Sequence, residues 1–109
     1  VFQPHRFSRL QRFAGDLASA LSAADRLFVA EVYPAFEAPI PGVTSALLME
    51  ELAARGRSDA RRLPREKIAD AVASAAVPGD GIVIMGAGDI GALAPLVAEK
   101  LRARHKIKS

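Results

Sequence analysis

The stretch Gly81-Ile82-Val83-Ile84-Met85-Gly86-Ala87-Gly88-Asp89-Ile90-Gly91 decides how the rest of the chain is read. Ile82 to Met85 is a short apolar run rich in β-branched residues, the composition of a half-buried strand. It opens into a glycine turn and then a helical pattern. Gly86, Gly88 and Gly91 satisfy G-x-G-x-x-G in the strand–turn–helix setting that a dinucleotide fingerprint requires. A working fingerprint also needs a further strand with an acidic residue about 20 positions on, to hold a ribose. Here one helical segment and a basic tail follow Gly91, and the sequence stops. The motif therefore predicts a tight turn and a close backbone approach, and gives little support to NAD.

Upstream, the same alternation repeats. Val1 to Gln3 reads as the end of a strand, stopped by Pro4, which lacks the N–H a ladder needs. Because Val1 stands so close to Pro4, that strand is expected to lack its beginning, as in an N-terminally truncated domain. Ser8 followed by Gln11 is a capping-box pattern. Leu10, Phe13, Ala14, Leu17 and Leu21 then mark one apolar helix face, ending near Ala23. Leu27 to Val32 is a second strand, followed by a proline-stiffened loop, Pro34 to Gly42. Thr44 or Ser45 caps the next helix, which turns Leu47, Leu48, Leu52 and Ala53 inward and stops at Gly56. Ala60 to Leu63 reads as a short edge strand. Pro64 suits the first position of a third helix, with Ile68, Val72 and Ala75 on its buried face. Val77-Pro78-Gly79-Asp80 is a turn that delivers the chain to Ile82. Strands alternating with helices imply an α/β fold, a Rossmann-like open parallel sheet with helices on both faces.

Composition narrows the class. At 109 residues the chain is one domain. It has no cysteine, which excludes a disulfide framework and a thiolate metal site and fits a cytoplasmic location. The longest nearly uncharged stretch, Gly81 to Ala98, contains Asp89, Pro95 and four glycines, so it reads as strand, loop and helix and not as a membrane span. No signal-peptide pattern opens the chain. The net charge is +3. Arg55, Arg57, Arg61, Arg62 and Arg65 cluster without the interleaved aromatics that stack bases, so a solvated basic surface is expected and nucleic acid is not. Arg102, Arg104, Lys106 and Lys108 read as a frayed helix end.

In an open parallel sheet, ligands bind beyond the carboxyl ends of the strands. Three segments fall there: Pro4 to Arg9, Tyr33 to Glu37, and Gly86 to Asp89. Arg6 and Arg9 share one side of a helix start, where cations oppose the helix dipole by about 0.3–1 kcal/mol each. Two of them there make sense if an anion sits between guanidinium forks and free backbone N–H groups. His5 can donate to the same anion or orient a substrate. Tyr33 and Glu37 stand on the stiff loop, where Glu37 can take an ammonium group or one of the arginines. The bland alternatives are a surface arginine pair bonded to nearby acids, a structural His5 and a solvent-facing Glu37.

Three ordered stretches resemble one family. Phe2-Gln3-Pro4-His5-Arg6-Phe7-Ser8-Arg9 resembles the Phe-Gln-Pro-His-Arg run of UDP-N-acetylmuramate–L-alanine ligases, in the wider Mur ligase group. Val32-Tyr33-Pro34-Ala35-Phe36-Glu37-Ala38-Pro39-Ile40-Pro41-Gly42 is similar to their Val-Tyr-x-Ala-Gly-Glu loop. Gly86-Ala87-Gly88-Asp89-Ile90-Gly91 is similar to their glycine turn. The resemblance covers the whole chain and implies the C-terminal, amino-acid-binding domain, with the UDP-sugar and ATP-binding domains absent. No Gly-Lys phosphate loop occurs, nor the Asp-Tyr-x-His-His-Pro segment that precedes the first motif in the family.

What the resemblance implies is ATP- and magnesium-dependent amide formation in cell-wall peptidoglycan synthesis. ATP phosphorylates the muramate carboxylate of UDP-N-acetylmuramate, and the amine of L-alanine attacks the acyl phosphate. His5, Arg6 and Arg9 would position the amino acid, with both arginines on its carboxylate. Tyr33 and Glu37 would join the substrate site, and Gly86, Ala87, Gly88 and Asp89 would line the cleft. The resemblance places no catalytic or metal-ligating residue in this domain. It implies that ATP and Mg2+ are held mainly elsewhere, with the central domain as partner, and that the isolated domain is inactive. Phe36 stands where the family has glycine, and phenylalanine tolerates positive φ poorly, so a differently shaped loop is expected. The alternatives are a related muramyl peptide ligase domain, or a standalone nucleotide-binding or interaction module.

Overall fold

A computed structural model describes residues 1–108, with side-chain surroundings described through residue 104; Lys106 and Lys108 of the basic tail lie outside that range. The chain is α/β. Helix α1 spans Phe7–Leu21, strand β1 Phe28–Val29, helix α2 Ser45–Ala54, strand β2 Arg61–Arg62 and helix α3 Arg65–Ala75. A 3-10 turn, Asp89–Ala92, leads into helix α4, Leu93–Lys108. No helix among the described residues is long and apolar enough to cross a membrane.

β1 and β2 pair in parallel, Phe28 opposite Arg61 and Val29 opposite Arg62. Phe2 forms isolated parallel bridges to Val29 on one side and Met85 on the other. Four parallel segments therefore lie in the order Met85, Phe2, β1, β2, but only the last two form a regular ladder. The expected four-stranded sheet is shorter than the apolar runs suggested. Pro4 has no N–H to extend the first segment. Ile82 and Val83 lie at the rim, 38% and 61% exposed, and form no ladder.

The period-2 alternation of β1 sorts the core into two layers. Leu27 and Val29 pack with Leu10, Ala14 and Ala18 of α1 and Leu48 and Leu52 of α2. Phe28 and Ala30 pack with Ile68 and Val72 of α3 and with Ile90, Leu93 and Val97. α1 lies on α2 and α3 on α4, so helices cover both faces of the parallel segments.

Helix ends are set by identifiable groups. The Thr44 hydroxyl accepts from the Ala46 N–H at 3.2 Å, capping α2 as expected. Gly56 follows its end at φ +80°, a conformation glycine adopts without strain. α1 stops two residues earlier than its pattern suggested, where the Ser22 hydroxyl donates to the Ala18 carbonyl at 2.7 Å. Arg57 gathers the carbonyls beyond α1, donating to Ser22, Ala24 and Asp25. Arg104 donates to the Ala73 and Ala76 carbonyls at the end of α3. Cations at such ends also complement the helix dipole. Two expected core positions differ: Phe13 is 39% exposed beneath the Arg12 guanidinium, and Ala53 faces outward.

Candidate functional site

The three segments singled out in the sequence meet at one end of the parallel segments. His5 and Tyr33 form a parallel bridge. The Tyr33 N–H donates to the Pro4 carbonyl, and the Arg6 N–H donates to the Tyr33 carbonyl, each at 2.8 Å. The His5 and Tyr33 rings lie 5.9 Å apart and within 15° of parallel. A Cβ on Gly88 would fall 2.8 Å from the Tyr33 ring, so the glycine turn rests directly against that residue. Between α1 and the turn lies a cleft of about 260 Å³, lined by Pro4, His5, Arg9, Phe13, Gly86 and Ala87 among others. A larger cleft, about 380 Å³, opens at the opposite ends of the segments beside Val1, Leu27 and Gly81, away from the His5 and Arg9 side chains.

Arg6 is the N-cap of α1 and has φ +66° and ψ +139°, a region that non-glycine residues seldom enter. The strain, of order 1–3 kcal/mol, is held by its surroundings. Its N–H is tied to Tyr33, while its carbonyl accepts from the Leu10 N–H at 3.1 Å. The result is an abrupt turn from extended backbone into helix that projects Arg6 and Arg9 at the helix start. Both are exposed, and among the described residues neither forms an ion pair.

The other arginines contrast with this pair. Arg55 is bound to Glu51, Arg57 to Asp59, Arg62 to Glu31 and Arg65 to Asp89. The expected solvated basic surface is instead largely a set of local ion pairs. Arg65 also donates to the Asp89 carbonyl, so the glycine turn is pinned to the start of α3.

Two corrections concern α1. Ser8 lies inside the first turn and is not its cap. The capping carboxylate comes from Glu37, which accepts from the Ser8 N–H at 2.8 Å and from the Ser8 hydroxyl. These two bonds, aided by the nearby Arg6 charge, hold the Glu37 carboxyl below its ordinary range. The Ser8 N–H is therefore not free for an external anion, and both oxygens of Glu37 are engaged. Phe36 does take the left-handed backbone that favours glycine: Ala35 and Phe36 have φ +50° and +68°, and the Glu37 N–H closes the turn on the Pro34 carbonyl at 3.0 Å. The Phe36 side chain is fully exposed, so no neighbour adds to the left-handed backbone cost of about 1–2 kcal/mol.

Glu31 organises the loop's far end. It accepts from the Ser45 N–H and hydroxyl, the Val32 N–H and the Arg62 guanidinium. Partial burial alone would raise its pKa, but the donors from Ser45, Arg62 and Val32 outweigh this and pull it from 4.5 to about 2. A carboxyl with a depressed folded value stabilises the fold above its unfolded value and loses that contribution as pH falls from about 4.5 toward 2. With the side chain 53% exposed, solvent screening reduces the effect to about 1 kcal/mol. Urea unfolding of the chain should weaken across that window, and Glu31→Gln should flatten the dependence.

Sequence reasoning missed the Glu37–Ser8 cap, the Arg65–Asp89 pin and Gln3. The Gln3 side chain is buried, and its carbonyl oxygen meets no donor among the described residues, as does the His5 Nδ1. A lone amide in an apolar strand was the available signal for Gln3. The other two contacts span 29 and 24 residues and have no local signature.

No family model matches the chain. Curated relatives do. The chain is 42% identical over 104 residues to the UDP-N-acetylmuramate–L-alanine ligase of Cutibacterium acnes, covering 94% of this chain and 22% of that protein. It is 47% identical over 105 residues to the enzyme of that name from Mycobacteroides abscessus, covering 95% of this chain and 21% of the relative. For Paenarthrobacter aurescens the figures are 43% over 101 residues, 93% and 21%. The chain thus spans about one-fifth of the length of the relatives it matches. Identity at this level along nearly the whole chain places it in the UDP-N-acetylmuramate–L-alanine ligase family, as a segment of the full-length enzyme.

Proposed function

We propose that this chain is the C-terminal, amino-acid-binding domain of an ATP-dependent ligase that joins L-alanine to UDP-N-acetylmuramate in the bacterial cytoplasm. The observation that carries this reading is the Arg6 and Arg9 pair: two exposed guanidiniums without ion-pair partners among the described residues, at a strained helix start beside His5. The relatives' name supplies the substrates, and the parallel segments covered on both faces suit a Rossmann-like domain.

The guanidiniums bind the carboxylate of the incoming amino acid, in place of the Ser8 N–H that Glu37 already occupies. His5 orients the same molecule. Tyr33 and Glu37 act behind them, Tyr33 against the imidazole and Glu37 under the first turn of α1. Gly86, Ala87, Gly88 and Asp89 form the facing wall. Holding the amine beside an activated acyl group supplies rate through proximity.

In this reading ATP and Mg2+ are held mainly by the rest of the full-length enzyme, which supplies acyl activation. The test is an assay of the full-length protein with ATP, Mg2+, UDP-N-acetylmuramate and L-alanine. Release of ADP and phosphate should require all three substrates, and the 109-residue chain alone should release none. Turnover that ignores L-alanine would sink the reading, whereas preference for a longer muramyl peptide acceptor would point to a related ligase.

A further inference from the structure

We propose that Gly88 and Tyr33 are positioning residues that set the imidazole of His5, so that the glycine turn governs the ligand-facing end of α1. The wall next to the arginines then has a mechanical task, and the glycine fingerprint acquires a cause unrelated to phosphate binding. The consequence for substrate rests on the assignment of His5 as a ligand contact.

Gly88 has φ −94° and ψ −148°, just past the edge of the broad β region, so its backbone favours glycine modestly. Space adds a second and stronger reason. A Cβ at this position would lie 2.8 Å from Cγ and Cδ2 of Tyr33 and 3.0 Å from Cδ1, closer than packed carbon atoms approach. The ring can yield only by turning about its side-chain torsions, because the Tyr33 backbone is tied at both N–H and carbonyl to the segment carrying His5. Such a turn changes its plane relative to the imidazole, now within 15° of parallel.

The imidazole has little else to fix it. Its Nδ1 is buried and meets no donor or acceptor among the described residues. With no hydrogen bond to hold Nδ1, the stack on Tyr33 is the directional contact that the structure shows for the ring. The other side of the seat is firm: Gly86 sits against Ile90 and Gln3, and Asp89 is bound twice by Arg65. Gly91 serves as an internal control, since a Cβ there would meet nothing within 4 Å.

The chain has two histidines, His5 and His105, so its imidazole NMR signals can be assigned with a single His105→Gln variant. In Gly88→Ala the His5 ring resonances should shift as the Tyr33 ring current moves, while Gly91→Ala should leave them in place. Tyr33→Leu adds no clash and should shift them too, which covers the case that Gly88→Ala fails to fold. In the full-length enzyme, Gly88→Ala should raise the KM for L-alanine by about 10- to 100-fold. The Gly88→Ala/Tyr33→Ala pair should cost no more than Tyr33→Ala alone, because truncation at Cβ removes every ring atom that the new methyl would meet. His5 signals unmoved by a folded Gly88→Ala or Tyr33→Leu would overturn the proposal. Moved signals with an unchanged KM would keep the seat but remove His5 from the ligand, which separates this inference from the ligase reading.

Discussion

Replacing Arg9 with alanine in the full-length enzyme is expected to raise the KM for L-alanine by about 10- to 150-fold while lowering kcat little. The range follows from one hydrogen bond to a charged group, worth about 1.5–3 kcal/mol, at 1.4 kcal/mol per decade. Arg9 forms no ion pair among the described residues, so its removal strands no partner inside the domain. It sits in the first turn of α1, where a cation opposes the dipole, so the variant should be as stable as the parent or slightly more so. That combination, weaker substrate binding without lost stability, distinguishes a ligand-binding arginine from a structural one such as Arg57, whose guanidinium holds three carbonyls. Arg9→Lys should recover part of the affinity, since an ammonium keeps the charge but not the planar fork. Unchanged kinetics in Arg9→Ala would remove this residue from the site.

How much of this was legible in the sequence varies with the range of the interactions. The helices were, because each carries its own period, cap or stop: Thr44 before α2, Gly56 after it, Pro64 before α3. The parallel arrangement of the extended segments was, because helical crossovers between apolar runs allow little else. Strand length was not. An apolar run such as Leu27 to Val32 records burial, and burial continues at Ala30 and Val32 beyond the two residues that pair as β1. The candidate site was legible only as a meeting place: the Pro4–Arg9, Tyr33–Glu37 and Gly86–Asp89 segments converge. Its internal wiring was not. The Ser8 and Gln11 spacing imitates a capping box, yet the strained Arg6 brings the chain into helix one residue before Ser8, and a carboxylate from another loop takes the cap. Phe36 misled in the opposite direction. Its aversion to positive φ is real, but a fully exposed ring makes the cost bearable, and the turn presents Glu37 to Ser8 all the same.

A last expected result separates the fold from the site. Leu10→Ala and Leu48→Ala should each destabilise the chain by about 2–5 kcal/mol, the range for large-to-small changes at fully packed positions. Both side chains are buried, at 1% and 0% exposure, in the same core layer between α1 and α2. For a domain whose total stability is about 5–15 kcal/mol, either loss is a large share, visible as a fall of roughly 10–30 °C in Tm. Their neighbourhoods differ. Leu48 is enclosed by the core, whereas Leu10 also lines the cleft beside Arg9 and His5. Truncating Leu10 therefore enlarges an existing opening and loosens the turn of α1 that carries Arg6 and Arg9, while truncating Leu48 leaves that turn's contacts intact. At a temperature where both variants remain folded in the full-length enzyme, Leu10→Ala should raise the KM for L-alanine several-fold and Leu48→Ala should not. Equal KM values in the two variants, despite equal losses in Tm, would show that the α1 start holds its geometry without Leu10 and that the strained Arg6 junction alone positions the arginines.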